Sequence, residues 1–192
     1  MFQRFDPNFG NTELVNETNR SLHFQVNQKV GPSLQNVSFS VYRKWAKNRI
    51  DFESGAFRYA NLGSEAFSGL DFGLERRILN RVNMKSQISW IFSDRIRQPR
   101  RRLIHSVEVS AFKNRLKPQL SLEWVSKRFD RVSGQTISLP SYLLVDLSIP
   151  FQVSRKVRVF GSIENLLDRQ YELVAGYSTY GRSIYGGMEV VW

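Results

Sequence analysis

The chain contains no cysteine. That excludes a disulfide framework, a thiolate metal centre and a cysteine nucleophile. Two histidines, His23 and His105, lie far apart without a nearby ligand cluster, so no metal site is expected. No apolar run approaches the ~18 residues that a membrane-crossing helix requires. The opening residues, Met1 to Pro7, carry no apolar stretch of the signal-peptide kind, so a leader is not expected within this chain. Nor is there a Ser-His-Asp arrangement, a phosphate-cradling glycine loop or a paired-carboxylate motif; Gly181 and Gly186-Gly187 do not make one. Catalytic, metal and cofactor sites are therefore not expected.

What the chain has in quantity is aromatic residues and positive charge. Phe 14, Tyr 7 and Trp 4 favour strands over helices. Lys and Arg outnumber Asp and Glu by 28 to 17, a net charge of +11. Nucleic acid, anionic lipid headgroups and acidic ligands all fit such a balance, and composition does not choose among them. A mean hydropathy of -0.37 suits a soluble protein. It equally suits a barrel in which only alternate residues meet lipid.

The dominant pattern has period two, which sends alternate residues to opposite sides of a strand. Leu22, Phe24 and Val26 alternate with His23, Gln25 and Asn27. Val37, Phe39 and Val41 follow, then Leu70, Phe72 and Leu74, then Val82, Met84, Ile88, Trp90 and Phe92. The series continues through Val107, Val109 and Ala111 to Leu120, Leu122 and Trp124. Leu143, Val145, Leu147, Ile149 and Phe151 come next, then Val157, Val159, Gly161 and Ile163. Ile184, Gly186, Met188, Val190 and Trp192 close it. The count is about nine strands of roughly ten residues, the length of a tilted transmembrane strand. No stretch keeps a helical period for long. Short turns are expected near Gly31-Pro32, Asn80-Arg81, Lys117-Pro118 and Ser154-Arg155-Lys156, and long loops near 47–57, 93–104, 127–141 and 167–181. Turn and loop in alternation are the habit of a membrane barrel with tight periplasmic turns and long outer loops. The fold class expected is all-β, an antiparallel transmembrane β-barrel segment. In that orientation Trp192 ends at the periplasmic rim and 167–181 faces outside.

The segment Val159-Phe160-Gly161-Ser162-Ile163-Glu164-Asn165-Leu166-Leu167-Asp168-Arg169-Gln170-Tyr171-Glu172, followed by Gly176-Tyr177 and Gly181-Arg182-Ser183, resembles the signature ahead of the last strand of TonB-dependent outer-membrane receptors. Leu167 stands where that family usually has Phe. Further blocks resemble the family in the same order: Asn11 to Thr18, Val41 to Phe52, Tyr59 to Asp71, and Arg100 to His105. In the first, Thr12 and Asn16 replace prolines. The arrangement is similar to that of cobalamin and smaller siderophore receptors. The resemblance implies a barrel of about 22 strands with a plugged lumen, of which residues 1–192 form the C-terminal wall. The N-terminal plug, the TonB contact that it carries and the first strands would lie outside this chain. It implies import of a ferric siderophore or cobalamin by the whole receptor in a Gram-negative outer membrane, with this chain alone transport-incompetent. Family-motif residues are Gly161, Asn165, Leu166, Leu167, Asp168, Tyr171, Gly176, Tyr177, Gly181 and Arg182. Substrate contacts are not assigned: for Tyr171, Tyr177, Tyr180 and Arg182, in or beside the loop 167–181, an aromatic girdle or loop packing is favoured over contact with a substrate.

The last strand resembles the terminal signal read by the barrel assembly machinery, with Ile184, Met188, Val190 and Trp192 as its side chains. Trp192 takes the place of the usual Phe, and a plain interfacial anchor is the other reading of it. Arg95, Arg97, Arg100, Arg101 and Arg102 are candidate contacts to lipopolysaccharide phosphates, since guanidinium forks match phosphate geometry. A solvated loop is the other reading. Two alternatives stand beside the receptor: a small self-contained outer-membrane pore or adhesin, and a soluble basic β-protein binding nucleic acid. Against the second, the charge is spread over many loops without an aromatic-basic stacking motif.

Overall fold

The computed structural model describes residues 2–31, 34–53, 55–93, 96–132 and 134–192. A single helical turn, α1 (Phe2–Phe5), precedes the strands. These run β1 (Thr18–Val30), β2 (Leu34–Lys47), β3 (Ile50–Glu53), β4 (Arg58–Asn61), β5 (Glu65–Ile78), β6 (Val82–Phe92), β7 (Arg101–Val109) and β8 (Gln119–Val125). Then come β9 (Arg128–Val132), β10 (Gln135–Leu139), β11 (Tyr142–Gln152), β12 (Val157–Glu164), β13 (Glu172–Val174), β14 (Tyr177–Ser178) and β15 (Ser183–Val190). Nine of them form one antiparallel sheet in the order β1-β2-β5-β6-β7-β8-β11-β12-β15. The sheet is not closed: β1 and β15 are its two edges. Each of the nine holds one of the alternating segments expected from the sequence. The other six strands pair among themselves as hairpins β3/β4, β9/β10 and β13/β14.

Residues opposite one another in an antiparallel pair point to the same face, so the register sorts the side chains. One rung across six strands reads Met84, Val107, Leu120, Leu147, Ile163, Ile184. The adjacent rung, on the opposite face, reads Asn83, Glu108, Gln119, Ser148, Ser162, Tyr185. Along these two rungs apolar and polar faces stay separate across six strands. The polar face also holds the ion pairs Arg102–Glu123 at 2.7 Å and Lys85–Glu75 at 3.1 Å. On the apolar face, Ser86 and His105 lie opposite each other and meet at 2.7 Å (Oγ to Nδ1), each meeting the other's hydrogen-bonding need.

Across these six strands the apolar face has no second layer packed on it among the described residues. Phe92, Val109, Leu120, Trp124, Leu143, Ile149, Ile184, Met188 and Val190 are exposed. Among the described residues the buried hydrophobics are Leu14, Val125, Leu139, Tyr142 and Val145. Covering one large apolar side chain is worth about 1.5 kcal/mol or more. Nine left in water forfeit an amount comparable with the roughly 5–15 kcal/mol that holds a whole domain folded. This face calls for an apolar surrounding.

The connections depart from expectation in two places. β7 begins at Arg101, so the connection before it is 93–100, and Arg101 and Arg102 are strand residues. The turn expected near Lys117-Pro118 is the longer connection 110–118, closed by an Ala111–Leu116 bridge. Three successive residues, Phe112, Lys113 and Asn114, take positive φ there. Connection 110–118 therefore outruns 93–100, and length alone does not sort the two sides at this point. The remaining turns, 31–33, 79–81 and 153–156, are short. Pro32 of the first lies outside the described residues.

The chain divides into two compact units. In the first, residues 1–24 and 41–69, the segment before β1 docks on the β3/β4 hairpin. Asn11 Nδ2 donates to the Tyr59 carbonyl at 2.9 Å. Asn61 accepts from Val15 N–H and donates to the carbonyls of Val15 and Asn48. Edge-to-face contacts join Phe9, Phe57 and Tyr59 to Phe52. The second unit, residues 25–40 and 70–192, holds the site described next.

Candidate functional site

Within the second unit, the connections 93–100, 126–141 and 165–182 converge at one end of β8 and β11, around Asp130. That carboxylate is fully buried. It accepts from Arg97 Nε at 2.7 Å, from the Ala175 N–H at 2.8 Å and from its neighbour Arg131 N–H at 2.8 Å. Burial alone raises a carboxyl's pKa. Here the Ala175, Arg97 and Arg131 donors outweigh burial and hold Asp130 below the usual carboxylate range. One side chain thus ties three loops together. Two positions before it, Arg128 is also buried, donates to the Glu172 carbonyl and lies over the Tyr142 ring at 5.2 Å. Tyr142 in turn stacks on Tyr171, with ring centroids 4.4 Å apart. Sequence reading missed Asp130, Arg128 and Tyr142. The available signal was that Asp130 is the lone carboxylate of the basic stretch 127–141.

The motif residues after β12 build the next turn. Asn165 is buried with φ near +50°, and besides accepting from the Asp168 N–H at its carbonyl it makes three hydrogen bonds. Its N–H donates to Asp146 Oδ1 at 2.8 Å, its Nδ2 donates to the Arg169 carbonyl, and its Oδ1 accepts from Arg169 N–H. Asn is well suited to this left-handed position, because its short amide bonds local backbone. Leu166 N–H donates to the Val145 carbonyl at 2.7 Å. Asp168 accepts from Arg182 N–H at 2.8 Å, linking the two ends of the loop. Gly181 lies so near that an added Cβ would fall 2.7 Å from Asp168 Oδ1. Gly176 takes φ +81° and donates its N–H to Glu172. Leu167, Tyr177 and Tyr180 are exposed. Gly161 lies in β12, opposite Gly186 of β15. A cleft of about 670 Å³ opens beside this loop, lined by the polar-face residues Asp146, Glu164 and Tyr185 together with Tyr171 and Tyr180.

Of the five arginines expected to act together, the four described ones do not share one setting. Arg97 serves Asp130. Arg102 pairs with Glu123 on the polar face. Arg101 sits opposite Trp90, on the apolar face, and with Arg100 lines a different cleft. Arg95 lies outside the described residues. In β15, Ile184, Met188 and Val190 are exposed on the apolar face at the sheet edge. The strand ends at Val190, two residues short of the exposed Trp192. On the other face of β15, Gly187 leaves room for the Phe160 ring; a Cβ there would fall 2.5 Å from the ring.

A family model described as TonB dependent receptor-like, beta-barrel matches residues 1–166. The chain belongs to the TonB-dependent receptors. Among curated relatives it is similar to the vitamin B12 transporter BtuB of Vibrio cholerae, 25% identical over 96% of this chain. It spans 31% of that protein's length. Among solved structures it is similar to the ferric enterobactin receptor PfeA of Pseudomonas aeruginosa, with TM-score 0.77 and 17% identity, covering 94% of this chain and 32% of that one. The siderophore receptor PirA of Acinetobacter baumannii matches with TM-score 0.75 and 12% identity, covering 94% and 32%. At such identities the structural likeness speaks for the fold alone. The relatives named here are transporters and receptors, not enzymes.

Proposed function

We propose that these nine strands are part of the wall of an outer-membrane receptor that imports a large, scarce nutrient, a ferric siderophore or cobalamin. The observation that carries this reading is the division of β6, β7, β8, β11, β12 and β15 into a predominantly apolar and a predominantly polar face. In hydrocarbon the apolar face needs no protein cover. The edges β1 and β15 cannot stay bare there, because unpaired N–H and C=O groups are costly in lipid. They pair with further strands of a larger wall. The plug that occludes such a barrel and couples it to TonB belongs to regions outside residues 1–192. The polar face lines the lumen, and the cleft beside Tyr171, Tyr180 and Tyr185 faces the passing substrate. Ile184, Met188, Val190 and Trp192 serve the barrel assembly machinery, and arginines at the loop end meet lipopolysaccharide.

The test is uptake. Cells that lack their own cobalamin and siderophore receptors, but carry the gene encoding this chain, are assayed with each nutrient. One nutrient is expected to enter, only while TonB is present, with the protein in the outer-membrane fraction. Residues 1–192 alone, exported behind a signal peptide, are expected to import nothing. Uptake of neither nutrient, uptake indifferent to TonB, or a cytosolic protein contradicts the reading.

A further inference from the structure

The cleft of about 670 Å³ beside the loop 165–182 differs in charge from the rest of the polar face. Elsewhere on that face Glu75 meets Lys85 at 3.1 Å, Glu123 meets Arg102 at 2.7 Å and Glu189 meets Arg158 at 3.8 Å. Glu108 accepts from Asn83 Nδ2 at 3.1 Å. Asp146 and Glu164 line the cleft from the neighbouring strands β11 and β12, and neither makes an ion pair among the described residues. Asp146 accepts the Asn165 N–H, and Glu164 is exposed. No lysine or arginine lines the cleft among the described residues. In a chain whose basic residues outnumber its acidic ones by 28 to 17, that lining runs against the overall charge. Tyr171, Tyr180 and Tyr185 add their rings, and those of Tyr180 and Tyr185 are exposed. A ring face carries partial negative charge and attracts cations. Carboxylates and rings therefore favour the same sign of ligand.

We propose that Asp146 and Glu164 select the nutrient by charge, admitting an uncharged or cationic chelate and turning away an anionic one. A ferric tris-catecholate is a trianion, because three dianionic catecholates outweigh Fe(III). A ferric tris-hydroxamate is uncharged, and one that bears an ammonium is a cation. Cyanocobalamin is uncharged as well. With its charge about 7 Å from both carboxylates at physiological salt, a trianion loses about tenfold in affinity relative to a neutral ligand of the same shape. No cation in the lining offsets that loss among the described residues. Charges placed in this way discriminate by repelling the wrong ligand. The tyrosine hydroxyls are left to bond the carbonyl groups that cobalamin and hydroxamates share. The inference rests on the import reading above and deepens it by naming the substrate's charge and the two residues that read it.

The experiment uses the whole detergent-solubilised receptor and equilibrium dialysis. Three coloured probes are compared: cyanocobalamin, a ferric tris-hydroxamate bearing one ammonium, and a ferric tris-catecholate. At least one of the first two is expected to bind, and the tris-catecholate at least about tenfold more weakly. The double variant D146N/E164Q keeps an acceptor for the Asn165 N–H. It is expected to strengthen the tris-catecholate by about tenfold and to leave cyanocobalamin within about twofold. Should the double variant fail to fold, Glu164→Lys, at an exposed position, is expected to strengthen the tris-catecholate, and to weaken the cationic tris-hydroxamate where that probe binds. Both shifts should shrink in high salt. Glu108→Gln, at the turn end of the polar face, is expected to change neither. A tris-catecholate bound as tightly as the other probes, no binding of any probe, or charge variants without effect overturns the proposal. Uptake of the same probes by cells is measured separately. Charge selection in binding without TonB-dependent uptake supports the cleft and counts against the transport reading alone. TonB-dependent uptake that favours the tris-catecholate does the reverse.

Discussion

The strand faces and the loop cluster around Asp130 are built on opposite rules. Along the strands, apolar side chains stand bare on one face and polar ones occupy the other. In the loops, the order resembles that of a water-soluble protein: Asp130 and Arg128 are buried, Leu139 and Tyr142 pack beside them, and charges meet donors inside. The difference teaches where each part finds its stability. The sheet depends on ladder hydrogen bonds and an apolar solvent, whereas the loops must make their own core in water. A substitution should therefore have opposite consequences in the two regions.

The largest effect is expected from a charge on the apolar face. Leu147→Arg, in the apolar rung, should cost about 2–4 kcal/mol if that rung lies near the bilayer midplane. Its neighbour Ser148→Arg, one residue along but on the polar face, should change the unfolding midpoint in bilayers little. Equal losses at both positions would erase the distinction between the faces. In the loops, Asp130→Ala removes the shared acceptor of Arg97, Ala175 and Arg131, at a cost of about 2 kcal/mol. The readout is faster proteolytic cleavage within 127–141 and 165–182, with the sheet unaffected. Because the folded Asp130 titrates below its usual range, its contribution is complete above the unfolded value of about 3.9 and is lost as pH falls through the lower, folded one. Loop cleavage by an acid protease should thus stay flat down to about pH 4 and climb below it. Asn165→Ala should cost about 1–2 kcal/mol, from lost side-chain bonds and a left-handed backbone that alanine tolerates poorly. Hydrogen exchange at Arg169 and nearby amides reports it. Smallest is Arg102→Ala, which breaks a half-exposed ion pair and should shift the unfolding midpoint by less than about 0.5 kcal/mol.

The strands were legible because lipid demands apolar residues on one face throughout, and that demand writes period two into the sequence. Nine alternating segments became nine strands of a single sheet. The loops obey no such rule. The hairpins β9/β10 and β13/β14 stand within stretches that read only as long connections, and β3/β4 begins in the loop expected over 47–57 and runs past its end. The start of β7 was hidden because Arg100-Arg101-Arg102 is polar on both faces, which leaves no alternation to see. Asp130 was missed for another reason. Its partners Arg97 and Ala175 lie 33 and 45 positions away, and no local pattern announces a contact so distant. Asn165 and Asp168 were picked out by the family resemblance; Asn165 bonds Arg169 within its own turn, whereas Asp168 reaches Arg182 across the loop.

Residues 1–192 hold no cysteine, so with any cysteine elsewhere in the receptor replaced the central claim can be tested directly. Single cysteines at Leu120, Leu122, Leu147, Ser121, Asp146 and Ser148, in the receptor in outer-membrane vesicles, are challenged with a water-soluble maleimide and then with a lipid-soluble one. Positions 121, 146 and 148 are expected to react with the water-soluble reagent, and 120, 122 and 147 only with the lipid-soluble one. Reaction that ignores the alternation, or water access at 120, 122 and 147, would contradict a wall with one side in lipid and the other in water.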